Sequence, residues 1–536
     1  MESLCHVKKK NQSLAWKICP ALFLFPQIPP GRRRFRSIPL KGFFNILQFD
    51  TLCLASYSSF LITLGKTSVS SGLELLGQPG TAAHGFARYN FQRQRRLRVP
   101  RVTTDVFKST RQTPLSGDGD FLTPAQLPLA VQDALASIPF IDIHTHLFAP
   151  AFGKLSLWGI DELLTYHYLE AEFFRSSGMT PEHYWTLSKT QQAEAIWRAL
   201  FIENSPISEA TRGVIAVLHA FGLSTDDSAL SEARDFFRNQ TLEAHITRVL
   251  EMAGISTVVM TNDPLDPEEA PLWFSGVQNH SQFHPVLRLD RILNTWPDHW
   301  QVLVKQGFSV DAQASGKSIA EVRRFLADWA KRMQPVYMAC SLPDTFEFPS
   351  DTLNGLLLRE AVLPACRELG LPLSLMIGVR KQVNPRIRLA GDAVGRANLR
   401  ALENLCRDYP SNRFLVSVLS RENQHELCVF ARKFNNLMPF GCWWFMNNAS
   451  IVEEITRERL EMLGASFIPQ HSDARVLEQV IYKWANTRRT LAPILAENYR
   501  LLSEDGRGVT PAGIQRDVTR LFRSNAESWM AVRPRP

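Results

Sequence analysis

The chain has 536 residues and eight cysteines, Cys5, Cys19, Cys53, Cys340, Cys366, Cys406, Cys428 and Cys442, and no two of them form a C-x-x-C pair. That absence excludes a cysteine zinc site of the usual spacing and leaves no disulfide framework. Several of the cysteines sit in apolar runs and read as small buried residues in a reducing compartment. Long apolar runs are missing too. The stretch from Leu52 to Leu64 is too short for a typical membrane span, lies far from the N-terminus and is not closely followed by a small-residue cleavage site. A cytoplasmic protein with no membrane partner is the expectation. Residues 1–115 also lack any clear amphipathic period. They hold 18 Lys+Arg against 4 Asp+Glu, a net of +14, so the remaining 421 residues carry −6 of the formal total of +8. The basic balance therefore belongs to the N-terminal segment and not to the body. That segment carries no interleaved aromatics on a recognisable fold, so no nucleic-acid partner is expected. Residues 1–115 read as a basic extension, disordered or outside the mature protein. No methionine stands between Met1 and Met179, so a later start would need another initiator.

What is present begins at Thr123. Thr123-Pro124 reads as an N-cap followed by proline in the first helical turn, opening a short helix to about Ala136. Eight short apolar runs follow, at 140–146, 256–262, 285–290, 336–341, 373–379, 414–420, 438–445 and 467–473. Amphipathic stretches lie between the later ones, at 319–333, 355–369, 399–408, 451–463 and 474–484. Strand runs alternating with helical runs predict βαβ units and a parallel sheet, and near-continuous apolar strands predict burial on both faces. Eight such units predict an α/β fold of the (β/α)8 TIM type spanning 116–536. About a hundred residues separate the first two runs. They are rich in helix formers and aromatics such as Trp158, Tyr166, Trp185 and Trp197, and read as a helical insertion at about 147–250 on the active-site side.

The strongest motif is Ile141-Asp142-Ile143-His144-Thr145-His146-Leu147. Strand alternation puts His144 and His146 on one face, where two imidazoles can hold one divalent metal. At the end of the eighth run stands Gln470-His471-Ser472-Asp473-Ala474-Arg475. In a closed barrel the eighth strand neighbours the first, so Asp473 is placed to give a carboxylate oxygen to the same metal. Two nitrogens and one carboxylate leave a position open, the pattern of a catalytic site. The competing reading has Asp473 capping a helix that starts near Arg475. For His425 and His471 the structural reading outweighs the ligand reading.

His-x-His after the first strand with Asp after the eighth resembles the amidohydrolase superfamily. Four segments narrow the resemblance: Leu163-Leu164-Thr165-Tyr166-His167-Tyr168, Ser420-Arg421-Glu422-Asn423-Gln424-His425-Glu426, Phe440-Gly441-Cys442-Trp443-Trp444-Phe445 and His471-Ser472-Asp473-Ala474-Arg475. All four are similar to uronate isomerases, over roughly residues 127–529. The resemblance implies a uronic acid as small-molecule substrate, interconversion of D-glucuronate with D-fructuronate and of D-galacturonate with D-tagaturonate, and one divalent ion such as Zn2+. A homo-oligomer is compatible with it. The superfamily's dinuclear hydrolases use a lysine after the fourth strand and histidines after the fifth and sixth. Here the fourth run ends Met338-Ala339-Cys340-Ser341, the fifth holds Met376 and the sixth ends at Ser420. A second metal lacks ligands, which favours isomerisation over the alternative, a metal-dependent hydrolase or deaminase.

Aldose–ketose isomerisation needs an acid/base group near C2, help for a developing oxyanion and a cationic clamp for the carboxylate. The resemblance points to Asp473 as metal ligand and base. Tyr168 is a second acid/base candidate that would need a nearby cation to act as a base. Arg288 and Arg475 are barrel-top cations able to hold oxyanions, Arg288 with an ion pair to Asp290 as its alternative. His167 fits as a substrate hydrogen-bond partner, and Trp443 and Trp444 offer flat walls to sugar C–H faces.

Overall fold

The computed structural model describes residues 121–278 and 280–530. The basic extension and the 52–64 stretch lie outside those residues.

Among the described residues nine strands form two sheets whose main pairings are parallel. The first runs in the order β1 (Phe140–Asp142), β2 (Ile255–Val259), β3 (Phe283–His284). The second runs β4 (Leu287–Arg288), β5 (Met338–Pro343), β6 (Leu373–Arg380), β8 (Phe414–Val418), β9 (Leu437–Pro439), with β7 (Ala393–Val394) antiparallel on the edge of β6. Every residue of β8 and all but the last of β6 are buried, as expected for parallel strands covered on both faces. Alternation sorts the side chains into two cores. Phe414, Val416 and Val418 face the helices, whereas Leu415 joins Ile141, Ile143, Val259, Tyr337, Met376, Phe440 and Ile468 in a separate inner cluster.

The two sheets are joined by backbone contacts. Asn262 bridges Leu287, and the Arg288 N–H donates to the Asn262 carbonyl at 2.9 Å. Ile468 bridges Phe440 beyond β9. At the other side the Asp473 N–H donates to the His144 carbonyl at 3.1 Å, and the His146 N–H to the Ala474 carbonyl at 2.7 Å.

Several boundaries differ from the sequence expectation, each for a local reason. Pro285 lacks an N–H; β3 ends just before it, outside the expected third run, and the run itself contributes only the two-residue strand β4. The eighth run makes one bridge instead of a strand, because Pro469 cannot donate and Asp473 turns away at φ 51°. The seventh run leaves the sheet after Pro439, where Gly441 at φ 64° starts a short helical turn at Trp444–Met446. The first helix is Leu127–Ser137, and the Thr123 hydroxyl donates to Gln126 Oε1 instead of capping it. The last long helix starts at Gln479, not near Arg475, and runs to Glu504.

Between β1 and β2 lie the helices Ile160–Leu164, His167–Ser176, Lys189–Trp197, Glu209–Phe221, Ser231–Arg238 and Leu242–Ala253. Ser188 and Gln191 form a reciprocal capping box on the third of these. Glu209–Phe221 lies hard against Gln479–Glu504: a Cβ on Gly213 would come within 2.6 Å of the Tyr482 ring, so only glycine permits that approach.

No helix among the described residues is long and apolar enough to cross a membrane. Cys340, Cys366, Cys406, Cys428 and Cys442 are free and buried, as the sequence implied.

Candidate active site

β1 ends at Asp142, and the chain stays extended long enough to present His144 and His146 on one side. The left-handed turn at Asp473 brings its carboxylate between them: Oδ1 lies 3.5 Å from His144 Nε2 and 3.3 Å from His146 Nε2. His144 and Asp473 are buried, and His146 is partly exposed. The rings of His144 and His146 stand edge to face at 85° to one another, and the candidate ligand atoms of the three residues all lie within 4.8 Å of one another.

A neighbouring threonine fixes the tautomer of His146. Thr261 Oγ1 donates its single proton to the Thr145 carbonyl at 2.9 Å and lies 2.9 Å from His146 Nδ1. Nδ1 must then carry the ring proton, which leaves Nε2 a bare acceptor aimed at Asp473. Burial, reinforced by the Arg475 charge, pushes His146 down to about 3, so its imidazole is neutral. Asp473 Oδ1 is buried without a hydrogen-bond partner, facing two ring nitrogens. An orphaned carboxylate oxygen is costly unless a cation completes the group. The three side chains fit a divalent ion, and they are the one set of three or more such ligands among the described residues.

The turn itself is tied from several sides. The Ser472 N–H donates to Asp142 Oδ1 at 2.9 Å, and Trp484 Nε1 donates to Asp142 Oδ2 at 2.8 Å. Lys483 Nζ donates to the Ser472 carbonyl at 2.7 Å. Because the helix starts at Gln479, Asp473 is not its cap, and that alternative is removed.

The remaining predicted residues fall on either side of this group. Arg288 lies in the same small cavity as His144, His146 and Thr261, a space of about 10 Å³ also walled by Asp290, Cys340 and Met376. That volume holds about one water or ion. Arg288 makes a two-point contact with Asp290, Nε to Oδ2 at 2.9 Å and a terminal nitrogen to Oδ1 at 3.0 Å, so the ion pair the sequence allowed is present. Asp290 and Ser341 are shared with a cleft of about 810 Å³ at the ends of β5 and β6. Arg475 makes no side-chain hydrogen bond or ion pair among the described residues, yet its charge depresses both His146 and His167.

Tyr166, His167 and Tyr168 open the helix His167–Ser176 as an aromatic cluster, with His167 edge-on to Trp444 at 5.5 Å. The buried hydroxyls of Tyr166 and Tyr168 and the Trp444 Nε1 make no hydrogen bond among the described residues. Burial, then the neighbouring Tyr166, pushes the Tyr168 phenol well above its usual value, so it stands as a neutral donor. Burial and the Arg475 charge keep His167 neutral. Trp443 is buried in the inner core. His425 is exposed and pairs with Glu458 at 2.6 Å. His471 is fully buried and packs edge-on against His144 at 5.2 Å.

Sequence reasoning passed over Asp142, Thr261, Tyr166 and Lys483. A signal existed for two of them: Asp142 is an acid inside an apolar run, and Lys483 falls on the face of its helix that carries Val480, Trp484 and Thr487.

No family model matches the chain, and no curated protein does. Among solved structures it is similar to a uronate isomerase from Bacillus halodurans C-125, at 48% identity over 76% of this chain and 97% of that one, with a TM-score of 0.75. A uronate isomerase from Thermotoga maritima shares the fold at 15% identity, over 76% of this chain and 99% of that one, TM-score 0.62. A glucuronate isomerase from Caulobacter crescentus does so at 16% identity, over 78% and 96%, TM-score 0.60. The match to the Bacillus halodurans enzyme spans nearly all of that protein at close to half identity, and with the His-x-His…Asp site in place the chain belongs to the uronate isomerase family.

Proposed function

We propose that the chain interconverts D-glucuronate with D-fructuronate, and D-galacturonate with D-tagaturonate, at the site built on His144, His146 and Asp473. The observation that carries this reading is the buried and unpartnered Asp473 Oδ1 lying 3.5 Å from His144 Nε2 and 3.3 Å from His146 Nε2. The two sheets, with the contacts that join them, are read as one closed (β/α)8 barrel whose strand ends present the site, and the helices between β1 and β2 as an insertion over it. The donor set suits Zn2+, and such an ion, when bound, would polarise and orient substrate oxygens.

The protein's own groups account for the proton transfers. Asp473 takes the C2 proton while O1 gains one, giving the enediol. Return of that proton to C1, with loss of the O2 proton, gives the 2-keto sugar. Tyr168, neutral and unpartnered, donates a hydrogen bond to an oxygen on which charge develops. Arg475, a cation without a partner among the described residues, holds an oxyanion through its planar fork. Arg288, held by its two-point contact with Asp290, offers its other terminal nitrogen to the C6 carboxylate, and His167 bonds the carboxylate or a hydroxyl. Trp443 and Trp444 flank the sugar. The catalytic unit is read as residues 116–536, with the basic extension outside it.

The experiment is isomerisation in D2O, followed by proton NMR, with the full chain and with residues 116–536. The product should carry deuterium at C1, both proteins should turn over alike, and a chelator should abolish conversion until Zn2+ is restored. Conversion without solvent deuterium would rule out Asp473 as a base exchanging with water, and chelator-resistant conversion would rule out the metal.

A further inference from the structure

The helix Gln479–Glu504 passes directly behind the left-handed turn, and on its buried face it carries a lysine that none of the chemistry above uses. Lys483 is 4% exposed, and no carboxylate lies within 4.0 Å of its ammonium among the described residues. Burying a charge without a close counter-ion is unfavourable, so a fold gains little from it unless the ammonium holds something in place. Two contacts say what it holds. Nζ donates to the Ser472 carbonyl at 2.7 Å, one residue before Asp473, and Nζ lies 5.7 Å from the centroid of the Tyr168 ring, over its face.

Both contacts bear on groups that need holding. Asp473 is not glycine, and at φ 51° its backbone stays in the left-handed region only where the surroundings over-determine it. The N–H groups of Ser472 and Asp473 are tied to Asp142 and to the His144 carbonyl, and the Ser472 carbonyl accepts from Lys483 Nζ at 2.7 Å and, at the longer distance of 3.5 Å, from Asn447 Nδ2. The Tyr168 hydroxyl has no partner to fix its ring, and a cation over the ring face is an attractive contact that depends on position. The close approach at Gly213 brings the helix Glu209–Phe221, with Glu209, to the same region; burial pulls the Lys483 ammonium below its ordinary pKa, and Glu209, Asp473 and Asp142 offset part of that.

We propose that Lys483 is a positioning residue for proton transfer, setting the Asp473 turn from behind and the Tyr168 ring beside it. The proposal rests on Asp473 being the base. Its test is steady-state kinetics on the full-length, metal-loaded protein with D-glucuronate, comparing Lys483→Met, Lys483→Arg and Asp473→Asn. Lys483→Met should melt near the wild type and bind the same metal. It should lose at least about tenfold in kcat with KM changed less than about threefold, because reacting groups are displaced while substrate binding is kept. Lys483→Arg, which keeps charge and donors, should recover several-fold of that loss. A folded Lys483→Met with kcat within about twofold of wild type overturns the proposal, as does an equal loss in both lysine variants. If Lys483→Met does not fold, the wild type decides. With lysines 15N-labelled at Nζ, the ammonium resonance absent from Lys483→Arg must move when a non-isomerisable hexarate binds, and an unmoved resonance overturns the idea. A slow Asp473→Asn beside a fast Lys483→Met refutes Lys483 alone; a fast Asp473→Asn refutes the base assignment itself.

Discussion

Asp473 and Arg475 stand two residues apart, and in the proposed reading they do different work, so their variants should fail differently. Asp473→Asn keeps the shape and removes the negative charge and the basicity. Turnover should fall by about 10²-fold or more, as for loss of an acid/base group, with weaker metal retention measurable by equilibrium dialysis. Arg475→Met should keep its metal and lose at least about 2 kcal/mol in kcat/KM, with Arg475→Lys giving only partial recovery because an ammonium lacks the planar fork. Near-normal kinetics in Asp473→Asn or in Arg475→Met would remove that residue from the site. Thr261 acts indirectly, through the proton on His146 Nδ1. Thr261→Val keeps the volume and deletes the acceptor, so metal affinity should drop by about 10- to 100-fold with little change in melting temperature. At this scale the His144, His146 and Asp473 group, which could hold a metal, was legible in the sequence, because alternation places the two histidines and the eighth run returns beside the first to place Asp473. Thr261 was not, since nothing local distinguishes a threonine that orients an imidazole from one that packs.

The elements were less legible at their ends than in their existence. The amphipathic stretch at 319–333 is the helix Ser318–Met333, and that at 399–408 is Arg400–Asp408. The eighth run reads as a strand and makes only one bridge, because it contains Pro469 and ends in a left-handed residue, which no hydrophobic period reports. The helix His167–Ser176 shows a different hidden cost. It buries Glu170, whose carboxyl accepts from the Tyr184 hydroxyl at 3.0 Å and is pushed up by burial to about 7 from an ordinary 4.5. A carboxyl with a raised folded-state value favours the fold fully below pH 4.5, and that advantage disappears as pH rises through about 7. Thermal melts between pH 5 and pH 8 should therefore show Glu170→Gln gaining on the wild type as pH rises, by about 2 °C or more at the upper end. A difference that stays flat across that window would show that Glu170 is not penalised by burial.

For the whole molecule, the alternation of eight apolar runs with helical stretches carried the α/β class, and the order of the parallel strands follows the order of the runs. The split between an inner and an outer core was implicit in strand alternation. The family resemblance came from motifs scattered over more than three hundred residues, Leu163 to Arg475, of which the fold brings His167, Trp444 and Asp473 near one another and leaves His425 exposed beside Glu458. The helices between the first two strands were foreseen as a block and not individually, because their packing depends on long-range contacts such as Gly213 on Tyr482. That this assembled site isomerises uronates is tested most directly by incubating the metal-loaded full chain with D-glucuronate and, separately, with D-galacturonate. A 2-keto uronate should form from at least one of them, in step with loss of the aldose. A folded protein that has taken up about one divalent ion per chain and converts neither sugar would contradict it.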